Sequence, residues 1–356
     1  MQDCRVDVRR PLLVAALLTL VACTQAGEPR SEESPAPTPT TTDSSPWPSP
    51  SPSATPTPTE EPAPVNPVSL PALMEKKYDG RNLRLRDVIV ETDAYTQHFV
   101  TYKSGSLTIS GIMDVPRGKG PFPVLVLAHG YIDPAIYANG QGLRREQDWL
   151  ARAGYVVLHT DYRGHASSDD ARNTEERLRL GYTEDVINAV HAIRKSRLRF
   201  LDKERVGLLG RSMGGGVAYN VLVTAPGLVD AAVVYAPVSS NAVDNFNRWI
   251  RGESDRSDLA ARIIRRHGSP ERNPEFWKGV SARRYFGQIT EPMLIHHGTA
   301  DESCPIQWSR RSQTALERAG VSSNLFVYPG QPHAFTDAWP ASMRRTVRFF
   351  GKHLES

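Results

Sequence analysis

Val206-Gly207-Leu208-Leu209-Gly210-Arg211-Ser212-Met213-Gly214-Gly215-Gly216 is the stretch on which the reading of the fold turns. A short apolar run, Val206–Leu209, passes through Gly-Arg-Ser-Met-Gly into a glycine-rich helix start. In a G-x-S-x-G turn between a strand and a helix the serine backbone is strained, and the flanking glycines avoid Cβ clashes. The serine then stands exposed at the tip of the sheet, at the positive end of the following helix. The five-residue pattern alone is short enough to arise by chance. The strand before it and the helix after it make Ser212 the candidate nucleophile.

Outward from this turn the chain alternates strands and helices. Gln97–Lys103 and Leu107–Val115 read as strands joined by Ser104-Gly105-Ser106. Phe122–Ala128 is a continuous apolar run, as expected of a strand buried on both faces of a parallel sheet. Helix Arg144–Ala153 leads to strand Tyr155–Thr160, and Val186, Ala189, Val190 and Ile193 recur at helical spacing. A helix from Ser212 to Val223 and strand Ala231–Tyr235 follow. The rhythm stops at 238–288 and resumes with strand Met293–His297, helix Gln307–Ala319, strand Asn324–Tyr328 and helix Ser342–His353. This order predicts an α/β fold with a mostly parallel, doubly wound sheet. The 238–288 insertion is expected as a helical cap over the carboxyl ends of the strands, where such sheets bind ligands.

A serine hydroxyl is a weak nucleophile at neutral pH and needs a base, itself oriented by an acid. Asp301 follows one strand in Gly298-Thr299-Ala300-Asp301, and His333 follows the next in Pro329-Gly330-Gln331-Pro332-His333. Ser212, Asp301 and His333 in that order, each on its own post-strand loop, predict nucleophile, acid and base. Glu302 is an alternative acid, while His129, His165, His296 and His297 read as structural or loop-shaping. The oxyanion of a tetrahedral intermediate needs backbone N–H donors. Met213, after the nucleophile, and Tyr131, in His129-Gly130-Tyr131, are expected to supply them.

These residues carry a resemblance. Thr108–Pro116 (TISGIMDVP), Phe122–Gly130, Asp161–Ser168 (DYRGHASS), Gly210–Gly216, His297–Pro305 (HGTADESCP) and Tyr328–Phe335 (YPGQPHAF) are similar to strings of the α/β-hydrolase superfamily. They resemble the prolyl oligopeptidase family catalytic domain and the dienelactone-hydrolase-like esterases. The resemblance implies an α/β-hydrolase fold, maps the family's triad onto Ser212, Asp301 and His333, and maps its oxyanion donors onto Met213 and Tyr131. Family peptidases usually carry a β-propeller before the hydrolase domain, and none is expected here. GRSMGG looks closer to the esterase branch, so ester and peptide substrates both stay open. A surface-anchored binding lipoprotein and an acyltransferase on the same fold are the competing readings.

The amino terminus gives a separate expectation. Arg5, Arg9 and Arg10 precede the apolar run Pro11–Ala22, which is shorter than the roughly 20 residues a membrane-spanning helix needs. Leu20-Val21-Ala22-Cys23 resembles a bacterial lipobox, which predicts a signal peptide over 1–22 and lipidation of Cys23. Pro, Ser, Thr, Ala and Glu then dominate, so 23–75 is expected as a disordered tether and 76–356 as the hydrolase domain. The implied location is the extracytoplasmic face of a membrane.

Composition narrows the partners. The net charge of +4 is spread along the chain without a basic stripe, which argues against nucleic acid. Of three cysteines only Cys304 falls in the folded body, so neither an internal disulfide nor a cysteine metal cluster is expected. No cofactor is implied, and the expected partners are a small ester or peptide substrate and the lipid membrane.

Overall fold

Apolar runs with no polar face need cover on both sides, and here they form the middle of one sheet. The structure, a computed structural model, describes residues 65–354. The expected signal peptide, Cys23 and the tether up to residue 64 lie outside them. Nine strands run β1 Arg81–Glu91, β2 Tyr95–Ser104, β3 Leu107–Pro116, β4 Phe122–Ala128, β5 Val156–Thr160, β6 Leu201–Arg211, β7 Ala231–Tyr235, β8 Met293–Gly298 and β9 Ser323–Tyr328. Their spatial order is β1-β2-β3-β5-β4-β6-β7-β8-β9. The first three are antiparallel neighbours, β3 meets β5 antiparallel, and every pairing from β5 to β9 is parallel. The β5-β4-β6 crossing reverses the winding of the chain, the place where open α/β sheets bind ligands.

Helices α1 Leu70–Met74, α2 Arg144–Arg152, α3 Leu180–Arg194, α4 Met213–Thr224, α5 Ala242–Phe246, α6 Ser257–His267, α7 Pro274–Gly279, α8 Ile306–Arg318 and α9 Trp339–Leu354 flank the sheet. One apolar layer gathers α3 and α4 against Val124, Val126, Leu158 and Leu208. The opposite layer gathers α2 and α9 against Leu125, Leu127, Val157 and Leu209. Alternate residues of each strand thus serve opposite layers, as the period of two requires.

Several elements differ from the sequence expectation. The tether was expected to run through residue 75, yet Ser69 caps α1 through its side chain and Leu70 and Leu73 are buried. A capped turn with two buried leucines is part of the body. Strand β1 was not read at all, because it is an edge strand whose outer half, Arg86–Glu91, is exposed on both faces. Strand β6 begins at Leu201, five residues before the apolar run that announced it.

The insertion after β7 is helical, as expected, but it divides into two parts. Phe246, Trp277 and Phe286 are buried in the main core, with Phe246 and Trp277 ring centroids 4.6 Å apart and Phe286 packed 5.5 Å from Tyr219 of α4. Residues 247–256 instead form a wall above α4, through the π-type turn Asn247–Arg251 and the 3-10 turn Ser254–Arg256.

Candidate active site

The turn between β6 and α4 is as tight as the sequence requires. Ser212 has φ 55° and ψ −119°, a conformation costly to a residue with a Cβ. An added Cβ on Gly210 would lie 2.3 Å from the Gly214 carbonyl oxygen, and one on Gly214 would lie 1.9 Å from that of Ala128. Only glycine allows β6, β4 and α4 to approach this closely. The turn is held from several sides. Ser212 N–H donates to Tyr235 O at 2.9 Å, and the Ser212 carbonyl accepts from Gly215, Gly216 and Val238.

Loops after β8 and β9 bring Asp301 and His333 together. His333 Nδ1 lies 2.8 Å from Asp301 Oδ2. A carboxylate only accepts, so the ring donates through Nδ1–H and keeps Nε2 as its basic nitrogen. Asp301 Oδ1 accepts from the N–H groups of Ser303 (2.9 Å) and Cys304 (2.7 Å). Burial would raise the Asp301 carboxyl, but bonds from His297, His333 and the Cys304 N–H outweigh it and hold the group well below the usual carboxylate range. Glu302, the alternative acid, meets His333 only at its backbone N–H (3.1 Å). The residues after His333 are fixed by Arg145, whose guanidinium donates to the carbonyls of Ala334 and Phe335.

Ser212, Met213, Tyr131 and His333 all line one cavity of about 530 Å³. Its floor is α4 and its wall includes Phe246, Trp249, Ile250 and Arg256 from the insertion. Gly130 brings the loop after β4 against the nucleophile, since a Cβ there would sit 3.2 Å from Ser212 Cβ. Met213 is the first residue of α4, where the helix leaves its N–H groups without an intrahelical acceptor. The loop bearing Tyr131 rests on aromatic rings: His129 stacks on Tyr162 at 4.2 Å and on Tyr137 at 4.6 Å. Burial, then the neighbouring His159 and His165, keep His129 neutral, which suits a structural role.

His296 and His297 are buried and do not reach the cavity lining. His296 bonds Tyr328 and Thr346, whereas His297 Nε2 lies 3.1 Å from Asp301 Oδ2. Cys304 is buried beside Ser212, and desolvation with the nearby Asp301 charge pushes its thiol up to about 12, so it stays protonated. Among the described residues no cluster of His, Cys, Asp or Glu is arranged to hold a metal ion. Sequence reasoning missed Arg179, which contacts both Tyr131 and Met213. Its position depends on a left-handed backbone (φ 57°) and on partners distant in sequence, neither of which a local pattern reveals.

Known proteins resemble this chain in sequence and in fold. The model of the prolyl oligopeptidase family (Peptidase_S9) matches residues 141–356, more than half the chain. An uncharacterized peptidase, YuxL, of Bacillus subtilis (strain 168) is 28% identical over 224 residues, covering 61% of this chain and 32% of that one. Dipeptidyl peptidase 4 of Felis catus is 30% identical over 182 residues, covering 50% and 22%. The chain thus spans a third or less of the length of these two curated relatives. In fold, the chain is similar to acetyl xylan esterase 1 from Thermoanaerobacterium sp. (TM-score 0.61, 16% identity, 79% of this chain and 92% of that one). It is also similar to acylaminoacyl peptidase of Pyrococcus horikoshii (TM-score 0.58, 20% identity, 75% and 43%). At those identities the likeness speaks to the α/β-hydrolase fold, which the mostly parallel sheet displays.

Proposed function

The chain belongs to the prolyl oligopeptidase family of serine hydrolases, and from that premise we propose that it cleaves an ester or peptide bond through Ser212, His333 and Asp301. The observation that carries the reading is the 2.8 Å bond from His333 Nδ1 to Asp301 Oδ2 at the cavity where Ser212 stands on its strained turn. His333 Nε2 takes the Ser212 proton as Oγ attacks the carbonyl carbon. The N–H groups of Met213 and Tyr131 receive the oxyanion, a contribution of about 3 kcal/mol per donor. His333 then protonates the leaving group, which departs and leaves the acyl group on Ser212. Water, deprotonated by the same nitrogen, releases the acid. Asp301 stays ionised throughout and keeps the ring in the tautomer that accepts at Nε2.

A fluorophosphonate probe tests this directly. Labelling of the full chain at Ser212, absent in Ser212→Ala, is the expected result. An unlabelled wild-type chain favours the surface-binding alternative. Labelled protein is then offered a choice of chemistry: p-nitrophenyl esters against aminoacyl and prolyl p-nitroanilides separate esterase from peptidase. Transfer of the acyl group to an added alcohol in preference to water identifies an acyltransferase. Export and anchoring through Cys23 belong to the same proposal and rest on the lipobox-like sequence and the Pro-rich segment after it. Cys23→Ala should release the protein from the membrane fraction, and unchanged retention argues against a lipid anchor at that residue.

A further inference from the structure

Resting on the hydrolase reading, we infer that Arg179 is a positioning residue that aligns the two oxyanion donors, Tyr131 and Met213. Its guanidinium lies 4.6 Å from the centre of the Tyr131 ring, and Nη1 meets Met213 Sδ at 3.3 Å. One planar group therefore touches the side chains of both residues proposed as oxyanion donors. Nε and Nη2 are engaged by the two carboxylate oxygens of Glu175, at 2.7 and 2.8 Å. This fork fixes the plane of the guanidinium, and with it the surface on which Tyr131 rests.

The backbone bears the mark of this role. Leu178 and Arg179 are successive non-glycine residues with positive φ, 51° and 57°. Two such residues in a row are costly, and strain of this kind persists where the surrounding structure requires a side chain in one place. Tyr131 needs holding: it is 44% exposed, on a loop without regular secondary structure. From the insertion, Arg256 approaches the same ring at 5.0 Å and donates to the Tyr131 hydroxyl at 2.7 Å. Tyr131 is thus gripped by two guanidinium groups, and the Arg179 side chain is only 18% exposed. An oxyanion donor stabilises the transition state only when aimed at it, so a small displacement of this loop costs rate while leaving ground-state binding in place. Lysine cannot replace Arg179, because an ammonium neither stacks as a plane nor forms the fork.

The test uses the full chain with Arg179→Lys, Arg179→Ala and Glu175→Gln. It reads kcat and KM for p-nitrophenyl acetate, inhibition by an aryl trifluoromethyl ketone, and the unfolding midpoint. The ketone forms a hemiketal with a serine and places its oxyanion between the donors. The expected result is a fall in kcat of about 10- to 100-fold for both Arg179 variants with KM within about 3-fold, and ketone affinity falling in step with kcat/KM. Glu175→Gln should show the same pattern at a few fold. If the Arg179 variants do not fold, Glu175→Gln decides alone, and unchanged kcat and ketone affinity there overturn the inference. A loss confined to KM, or Arg179→Lys equal to wild type, also overturns it. Absence of Ser212 labelling in the wild-type chain is a different failure, that of the hydrolase reading itself.

Discussion

His297 Nε2 approaches Asp301 at 3.1 Å, on the same carboxylate oxygen that receives the His333 ring. The other partner of that nitrogen is the Cys304 carbonyl at 2.9 Å, so Nε2 faces two acceptors and carries the proton. Nδ1 then accepts from the Ser309 hydroxyl at 2.6 Å. His297 thus donates through Nε2–H and accepts at Nδ1, and it braces the Asp301 oxygen that receives the His333 ring. His297→Phe removes that donor while keeping a ring in the space. We expect kcat to fall about 10-fold with little change in KM, measured by steady-state ester hydrolysis. A loss as complete as that of His333→Ala contradicts a supporting role.

Strain at Ser212 predicts a separation of stability from activity. Glycine accepts the φ of 55° there without the penalty that any Cβ incurs. Ser212→Gly and Ser212→Ala should both be inactive, yet the glycine variant should be more stable than the alanine variant by about 1 kcal/mol. Urea unfolding of the two proteins side by side measures the difference, and equal midpoints contradict the strain argument.

Gly214 and Gly287 give a paired test of close approach. A Cβ at Gly214 would overlap the Ala128 carbonyl at 1.9 Å, while at Gly287 nothing lies within 4 Å. Gly214→Ala should therefore destabilise the fold by about 3 kcal/mol or more, and Gly287→Ala by less than about 0.5 kcal/mol. Thermal unfolding of both variants reads this contrast directly.

Acid sensitivity follows from the Asp301 carboxyl. Its folded value is depressed, so its stabilising contribution is present above the unfolded value near about 3.9 and declines as pH falls toward the folded one. The difference in unfolding free energy between wild type and Asp301→Asn should shrink by about 1 kcal/mol between pH 4 and pH 3. Urea titrations at pH 6, 4 and 3 check the sign. A difference that grows on acidification contradicts it.

The sheet was legible where burial is complete. Strands β4 and β7 are apolar along nearly their whole length and β5 and β8 open with three apolar residues, because both faces are covered, and each was read within about a residue of its ends. Strand β1 escaped because RNLRLRDVIVE buries only Leu83 and alternates charge with apolar residues on an open edge. Helix α1 escaped because its two buried leucines follow a proline-rich segment that masks so short an amphipathic pattern. The same division runs through the site. Asp301 and His333 were visible because each ends a readable strand in a glycine- or proline-marked turn. Arg179 and the second face of Asp301 depend on chain reversals that bring remote segments together, and local spacing holds no record of those.

The anchoring of Trp277 and Phe286 in the core, with Trp249 left to face the cavity, makes the insertion a two-part module. One part behaves as foundation and the other as interchangeable lining. The cavity-facing side chains Trp249 and Ile250 can be exchanged for others of different bulk without disturbing Phe246, Trp277 and Phe286, the rings that seat the rest. The turn bearing Ser212 and the loops bearing Asp301 and His333 lie on other elements, and such exchanges leave untouched Arg248, which bonds the carbonyls of Glu302 and Ser303, and Arg256, which bonds the Tyr131 hydroxyl. Selectivity in this chain is therefore separable from reactivity, and a library confined to those two positions is the economical route to retuning what the cavity admits.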